Sequence, residues 1–272
     1  MKIGICNEIF SNWEMEKVFP FIKQLGYDGI EIAPFTLSNS VEMISKERRR
    51  EIKMLAEKYA VEIIGTHWLL VKPEGLSISS KNKEIRNKTS QYFKELVFFT
   101  YEIGGKIMVL GSPKQRSISD GQTFEEVKGY LREIIYPALE EAEKKHVFIC
   151  LEPLGRKETN FVNTGEEAIK IIEEFNHPNF KLILDVKAMS DENKPIPEII
   201  KKCKKHLKHF HANDKNLLGP GFGEIDFAPI ISTLKEMNYN GWLSVEVFDF
   251  SPGPETIAEK SIKYLKNIIS FQ

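Results

Sequence analysis

"LKHFHANDKNLLGPGFGEIDFAPIISTLKEMNYNGWLSVEVF", residues 207–248, holds one whole unit of the chain's architecture. An apolar run, LKHFHAN (207–213), passes through a Gly/Pro-rich turn into an amphipathic stretch, APIISTLKEMN (228–238), and on into a second apolar run, WLSVEVF (242–248). That order reads as strand, loop, helix, strand. β-Branched and aromatic residues suit a pleated buried surface, whereas the middle segment repeats its apolar positions at helical spacing.

The same unit recurs towards the N-terminus. The runs KIGIC (2–6), GIEIAP (29–34), EIIGTHWLL (62–70), KIMVLG (106–111), VFICLEP (147–153) and KLILDV (181–186) precede the two already named. Each of the eight is followed by a charge-bearing helical pattern, from MEKVFPFIKQLG (15–26) to TIAEKSIKYLKNII (256–269). Near-continuous apolar strands point to a parallel sheet covered on both faces. Eight βα units in 272 residues match an α/β fold of the (β/α)8 TIM-barrel type, a single domain over 1–272. An open doubly wound sheet fits less well, because no Gly-rich dinucleotide turn follows KIGIC.

Composition narrows the partner. Lys plus Arg (38) nearly cancels Asp plus Glu (39), with the signs interspersed, so no basic stripe invites nucleic acid. No uncharged apolar window is long enough to cross a membrane, and MKIGICNEIF lacks the form of an export leader. Cys6, Cys150 and Cys203 lie far apart without CxxC spacing. A small-molecule partner and a cytoplasmic location are therefore expected.

In a parallel barrel the strand C-termini share one face, and that face carries the chemistry. Polar residues collect there: Asn7 and Glu8 after the first run, Glu31 in the second, His67 in the third, then Glu152, Asp185, His209 with His211, and Glu246. Three crowded carboxylates at the ends of strands five, six and eight repel one another and resist ionisation unless a cation joins them. Carboxylates with one imidazole suit Mn²⁺, Mg²⁺ or Co²⁺ better than a closed tetrahedral Zn²⁺ site, with zinc a further candidate. Period-two geometry puts His209 one layer below His211, in an orienting role.

These motifs, LEPLGRKETNFVNT (151–164), LILDVKAM (182–189), HFHANDKN (209–216) with GPGFGEIDF (219–227), and LSVEVFDF (243–250), resemble those of the sugar phosphate isomerase/epimerase superfamily. Its members are xylose-isomerase-like TIM barrels, and the D-tagatose and D-psicose 3-epimerases are the group most similar in feel. The resemblance implies Glu152, Asp185, His211 and Glu246 as metal ligands. It also implies Glu152 and Glu246 as an acid/base pair that moves a proton beside a carbonyl through a metal-stabilised enediolate. Glu158 and Asn163 then fall near the substrate hydroxyls, and His67 with Trp68 falls in the pocket wall. The implied substrate is a small ketose, a polyol-derived ketone or a sugar phosphate, and the implied assembly a homodimer or homotetramer.

Two positions depart from that pattern. Ala188 stands where the group carries a substrate-contacting histidine, and Leu217 where many members carry an arginine. Strand parity directs Lys187 the same way as Asp185, so it is expected to supply a positive donor. Lys114, Arg116 and Arg156 offer an expected clamp for a phosphate or carboxylate. Trp13, Phe35 and Trp68 are candidates for an apolar wall, Asp214 and Asn216 for a loop over the metal, and residues 72–84 for a lid.

Other functions fit less closely. A lyase of the inosose dehydratase kind would use the same scaffold to expel a hydroxyl, and a non-catalytic sugar-binding barrel would keep the metal without turnover. An abasic-site endonuclease needs a histidine-rich metal cluster, but His146 and His177 fall in connections on the opposite face.

Overall fold

In the computed structural model, which describes residues 1–271, all eight runs are parallel strands hydrogen-bonded in chain order into a closed barrel. The strands are β1 (Lys2–Cys6), β2 (Gly29–Ile32), β3 (Glu62–Thr66), β4 (Ile107–Leu110), β5 (Phe148–Leu151), β6 (Phe180–Asp185), β7 (Leu207–Ala212) and β8 (Trp242–Val245). The helices that cover them are α1 (Met15–Leu25), α2 (Lys46–Tyr59), α3 (Lys83–Glu102), α4 (Pro113–Arg116), α5 (Phe124–Lys144), α6 (Gly165–Phe175), α7 (Val186–Met189), α8 (Ile196–Cys203), α9 (Ala228–Glu236) and α10 (Pro254–Phe271). The fold is the expected (β/α)8 barrel. Among the described residues no helix is long and apolar enough to cross a membrane.

Local chemistry sets the helix starts. Thr123 accepts from the Glu126 amide at 3.2 Å while the Glu126 carboxylate accepts from the Thr123 amide at 2.7 Å, which satisfies two otherwise orphaned donors at the start of α5. Ser45 caps α2 through the Arg48 amide and Thr164 caps α6 through the Glu167 amide. Two short helices that the apolar rhythm did not announce, α4 and α7, follow β4 and β6 directly.

The main apolar core lies between the strands and the surrounding helices, where Met108, Leu110, Leu151 and Leu184 meet Phe93, Ile134, Ile171 and Ile200. A separate cluster, Ile64, Ile107, Val109, Cys150 and Ile183 with Phe148 and Trp242 against it, fills the lower part of the barrel lumen. Gly65 makes the β3–β4 contact possible, since a Cβ there would stand 1.8 Å from the Ile107 carbonyl oxygen. Apolar side chains thus plug the N-terminal end of the lumen. The polar rows emerge at the other end.

Candidate active site

Side chains on a strand alternate between faces, so each lumen-facing row continues into the mouth. On β5 the row of Phe148 and Cys150 reaches Glu152, and on β6 Ile183 reaches Asp185. On β7 His209 leads to His211 and Asn213, and on β8 Trp242 and Ser244 lead to Glu246. The β6–β7 register sets Asp185 beside His211. One ligand atom from each of Glu152, Asp185, His211 and Glu246 lies within 4.8 Å of the others, and all four residues are buried.

His211 Nδ1 stands 3.0 Å from Glu246 Oε2 and 3.4 Å from Glu152 Oε1, yet no hydrogen bond satisfies it. A buried, unpartnered imidazole nitrogen among three carboxylates is the donor set of a divalent-cation site, and these residues fit such an ion. Gly111 leaves room for the Glu152 carboxylate, because a Cβ there would come within 2.3 Å of Glu152 Oε2.

Glu31, fully buried on β2, fixes the histidines. Its Oε1 faces His211 Nε2 at 3.3 Å and its Oε2 faces His209 Nε2 at 2.8 Å. A carboxylate behind the far nitrogen of His211 holds the ring's orientation and tautomer, leaving Nδ1 for the site. Burial by itself would raise the Glu31 carboxyl, but the two imidazoles hold it well below the usual range. His209 therefore acts through Glu31, one step further from the four converging residues than the sequence implied.

The other ligands are also braced. Asp185 Oδ1 accepts from the Ala188 amide at 2.7 Å, capping α7, and Oδ2 accepts from Asn213 Nδ2. Burial, reinforced by Glu152 and Glu246 and opposed by Lys187, raises the Asp185 carboxyl to about 7. Glu246 Oε1 accepts from Trp68 Nε1 at 3.0 Å. Burial works against the charge on Glu246, but the neighbouring His211 imidazole keeps its pKa below the ordinary value.

A narrow cleft of about 80 Å³ leads to these groups, lined among others by His67, Trp68, Gly111, Glu152, Glu158 and Phe248. Trp68 sits edge-on to Phe35, ring centroids 6.1 Å apart, and tilted against Phe248 at 6.1 Å. Lys187 reaches the mouth, but from the first turn of α7 and not, as strand parity implied, along an extension of β6. Its Nζ lies 2.7 Å from Glu158 Oε1 and 4.1 Å from the Phe248 ring centroid. A larger hollow of about 500 Å³ opens at the N-terminal end, lined by Ile64, Phe148, Lys208 and Trp242 among others, away from this chemistry.

Several expected contacts are not assembled. Arg116 is buried, and its guanidinium donates to the carbonyls of Leu110, Glu152 and Val162, so it braces the β4 and β5 loops instead of clamping an anion. Lys114 is exposed on α4, and exposed Arg156 lines a different surface hollow with Asp191 and Glu192. The expected anion clamp therefore does not form. Asn163 spends its amide on the Leu154 and Thr159 carbonyls, shaping the loop after β5 instead of facing a hydroxyl. Asp214 and Asn216 fold their own loop through Ile225 and Phe222, and Trp13 packs against Phe10 and Phe21. The segment expected as a lid is fastened: Ile78 is buried with its amide on Gln115, and Gln122 holds the Ser79 carbonyl.

Four residues of the site were given no role from sequence. Glu8 and Glu31 were visible as polar strand-end residues, but nothing local named their histidine partners. Phe248 and Asn213 lie two positions beyond Glu246 and His211, and extending the period-two rows would have found both.

Residues 19–268 match the family model described as xylose isomerase-like TIM barrel. A probable ketose 3-epimerase of Synechocystis is 24% identical over 269 residues, covering 92% of this chain and 90% of that protein. A D-psicose 3-epimerase of Ruminiclostridium cellulolyticum is 25% identical, covering 91% of this chain and 84% of its own. The crystal structure of D-psicose 3-epimerase with D-tagatose from Clostridium cellulolyticum H10 superposes with a TM-score of 0.84 at 23% identity, over 99% of both chains.

Proposed function

The chain belongs to the xylose isomerase-like TIM-barrel family, and from that premise we propose that it is a divalent-metal-dependent sugar epimerase that moves a proton at a carbon beside the carbonyl of a small ketose. The observation that carries the reading is the position of Glu152 and Glu246. They reach in from the ends of β5 and β8 to 3.4 Å and 3.0 Å of the same imidazole nitrogen, at the end of a cleft that Trp68 and Phe248 help to line. The naming of relatives as ketose 3-epimerases supports the substrate class.

Glu152, Asp185, His211 and Glu246 would hold the cation, with Mn²⁺, Mg²⁺ or Co²⁺ favoured by the oxygen-rich set. What such an ion supplies there when bound is polarisation of the ketose carbonyl, which acidifies the neighbouring C–H. Glu246, kept ionised and held at Oε1 by the Trp68 indole, takes that proton. Glu152 delivers a proton to the opposite face, so one C–H bond breaks, another forms and only configuration changes. Lys187 and Glu158 offer a donor and an acceptor to the sugar hydroxyls, while Trp68 and Phe248 cover its apolar face. With Arg116 committed to backbone carbonyls, an unphosphorylated ketose fits this mouth better than a sugar phosphate.

The test is proton exchange. With Mn²⁺ in deuterium oxide, an active ketose acquires deuterium at the inverted carbon, and Glu246→Gln abolishes the exchange and weakens Mn²⁺ binding. Undiminished exchange in that variant would overturn the reading.

A further inference from the structure

We propose that the mouth holds a second divalent-cation site, formed by Glu8, His67 and Glu246, with Glu246 shared between it and the four-residue site. The inference rests on the proposed role of Glu246 as a metal ligand. It goes beyond that role by assigning Glu8 and His67, which follow β1 and β3 and take no part in the proton transfer itself.

Glu8 is the second residue of the 3-10 turn that follows β1, His67 directly follows β3, and Glu246 directly follows β8. One ligand atom from each lies within 4.8 Å of the others, and all three side chains are buried. Glu8 is only 3% exposed, and its Oε1 has no hydrogen-bond partner. A buried carboxylate oxygen left without a donor is costly, and it implies a cation or a bound molecule at that point.

Glu31 Oε1 meets His211 Nε2 at 3.3 Å but lies 3.7 Å from His67 Nδ1, beyond hydrogen-bond reach, so that buried nitrogen has no partner. The opposite nitrogen of His211 faces the four-residue cluster. The opposite nitrogen of His67, Nε2, faces Glu8 Oε2 at 2.8 Å in the second cluster. A carboxylate behind an imidazole whose other nitrogen points at a ligand set is the usual support of a metal-binding histidine. Glu31 provides it for His211, and beside His67 it stands at ion-pair range only.

Glu246 has an oxygen for each site. Oε2 faces His211, and Oε1 is on the side of Trp68, the residue after His67. The indole uses one lone pair of Oε1 and leaves another. Two carboxylates and one imidazole form an open three-ligand set of the kind that takes Mn²⁺ or Zn²⁺.

Manganese binding to the full chain, freed of metal beforehand, decides the matter by equilibrium dialysis and electron paramagnetic resonance. The wild type is expected to bind two Mn²⁺ per chain and to give the spectrum of a spin-coupled pair. Glu8→Gln and His67→Asn, each checked for a native circular dichroism spectrum, are expected to bind one and give an isolated-ion spectrum. Asp185→Asn should instead weaken the four-residue site. One Mn²⁺ in the wild type, lost in Asp185→Asn and retained in both Glu8→Gln and His67→Asn, overturns the second site and leaves the epimerase site standing, with Glu8 and His67 then a proton-linked ion pair. No Mn²⁺ in the wild type overturns both.

Discussion

The indole Nε1 of Trp68 donates a 3.0 Å hydrogen bond to Oε1 of Glu246, joining the end of β3 to the end of β8 across 178 residues of sequence. The bond aims the carboxylate that is proposed to take the substrate proton. A hydrogen bond to a charged group is worth about 1.5–3 kcal/mol, so Trp68→Phe is expected to lower kcat roughly 10-fold to 100-fold. Steady-state kinetics on an active ketose check this, and a change in KM alone would mean that the indole only lines the cleft.

Glu31→Gln removes the charge that faces His209 and His211 at 2.8 and 3.3 Å inside the barrel. Breaking a buried ionic network by removing one partner typically costs about 3–5 kcal/mol. Loss of the carboxylate behind a metal-binding histidine typically costs about 10–100-fold in affinity. Thermal melts and Mn²⁺ titration of the same variant are expected to show both losses, and an unchanged affinity would remove Glu31 from the orienting role.

Lys187→Met keeps the stem against Phe248 and deletes the ammonium 2.7 Å from Glu158 Oε1. If that ammonium contacts substrate, kcat/KM falls by about 10-fold or more, on the scale of one charged hydrogen bond, while the melting temperature moves little. Equal activity in the variant would show that Lys187 only neutralises Glu158.

Gly65→Ala tests barrel closure. Its Cβ would meet the Ile107 carbonyl oxygen at 1.8 Å, and that atom is backbone, so β3 and β4 must separate. Overpacking of this kind costs about 1–3 kcal/mol or more. The variant is expected to melt well below the wild type or to be insoluble.

Glu166 sets a pH dependence away from the active site. Hydrogen bonds from Lys194 and Lys202, which tie the start of α6 to the segment around α8, pull its carboxyl from 4.5 to about 2. The folded chain thus binds this proton less readily than the unfolded chain. The contribution to stability is complete above about pH 4.5 and is lost as the pH falls towards 2. Glu166→Gln should therefore melt below the wild type at neutral pH, with the difference closing as the pH drops through that window. A constant difference across it would rule out the ionisation as the cause.

What the sequence by itself determined was local and periodic. The alternation of apolar runs with amphipathic stretches specified eight βα units, because a buried parallel strand and a one-sided helix leave different hydrophobic periods. Period two also placed Glu152, Asp185, His211 and Glu246 on lumen-facing rows. The tertiary structure alone decided which groups these rows meet. Glu31 and His209 are 178 residues apart and share no local signal, yet they come within 2.8 Å. Arg116 looked like a free loop cation until the β4 and β5 loops closed their carbonyls around it. The physical reason is the same in each case. Strand parity is set by neighbours along the chain, whereas the partner of a buried charge is set by barrel closure, which brings distant strand ends together and leaves each one no solvent to turn to.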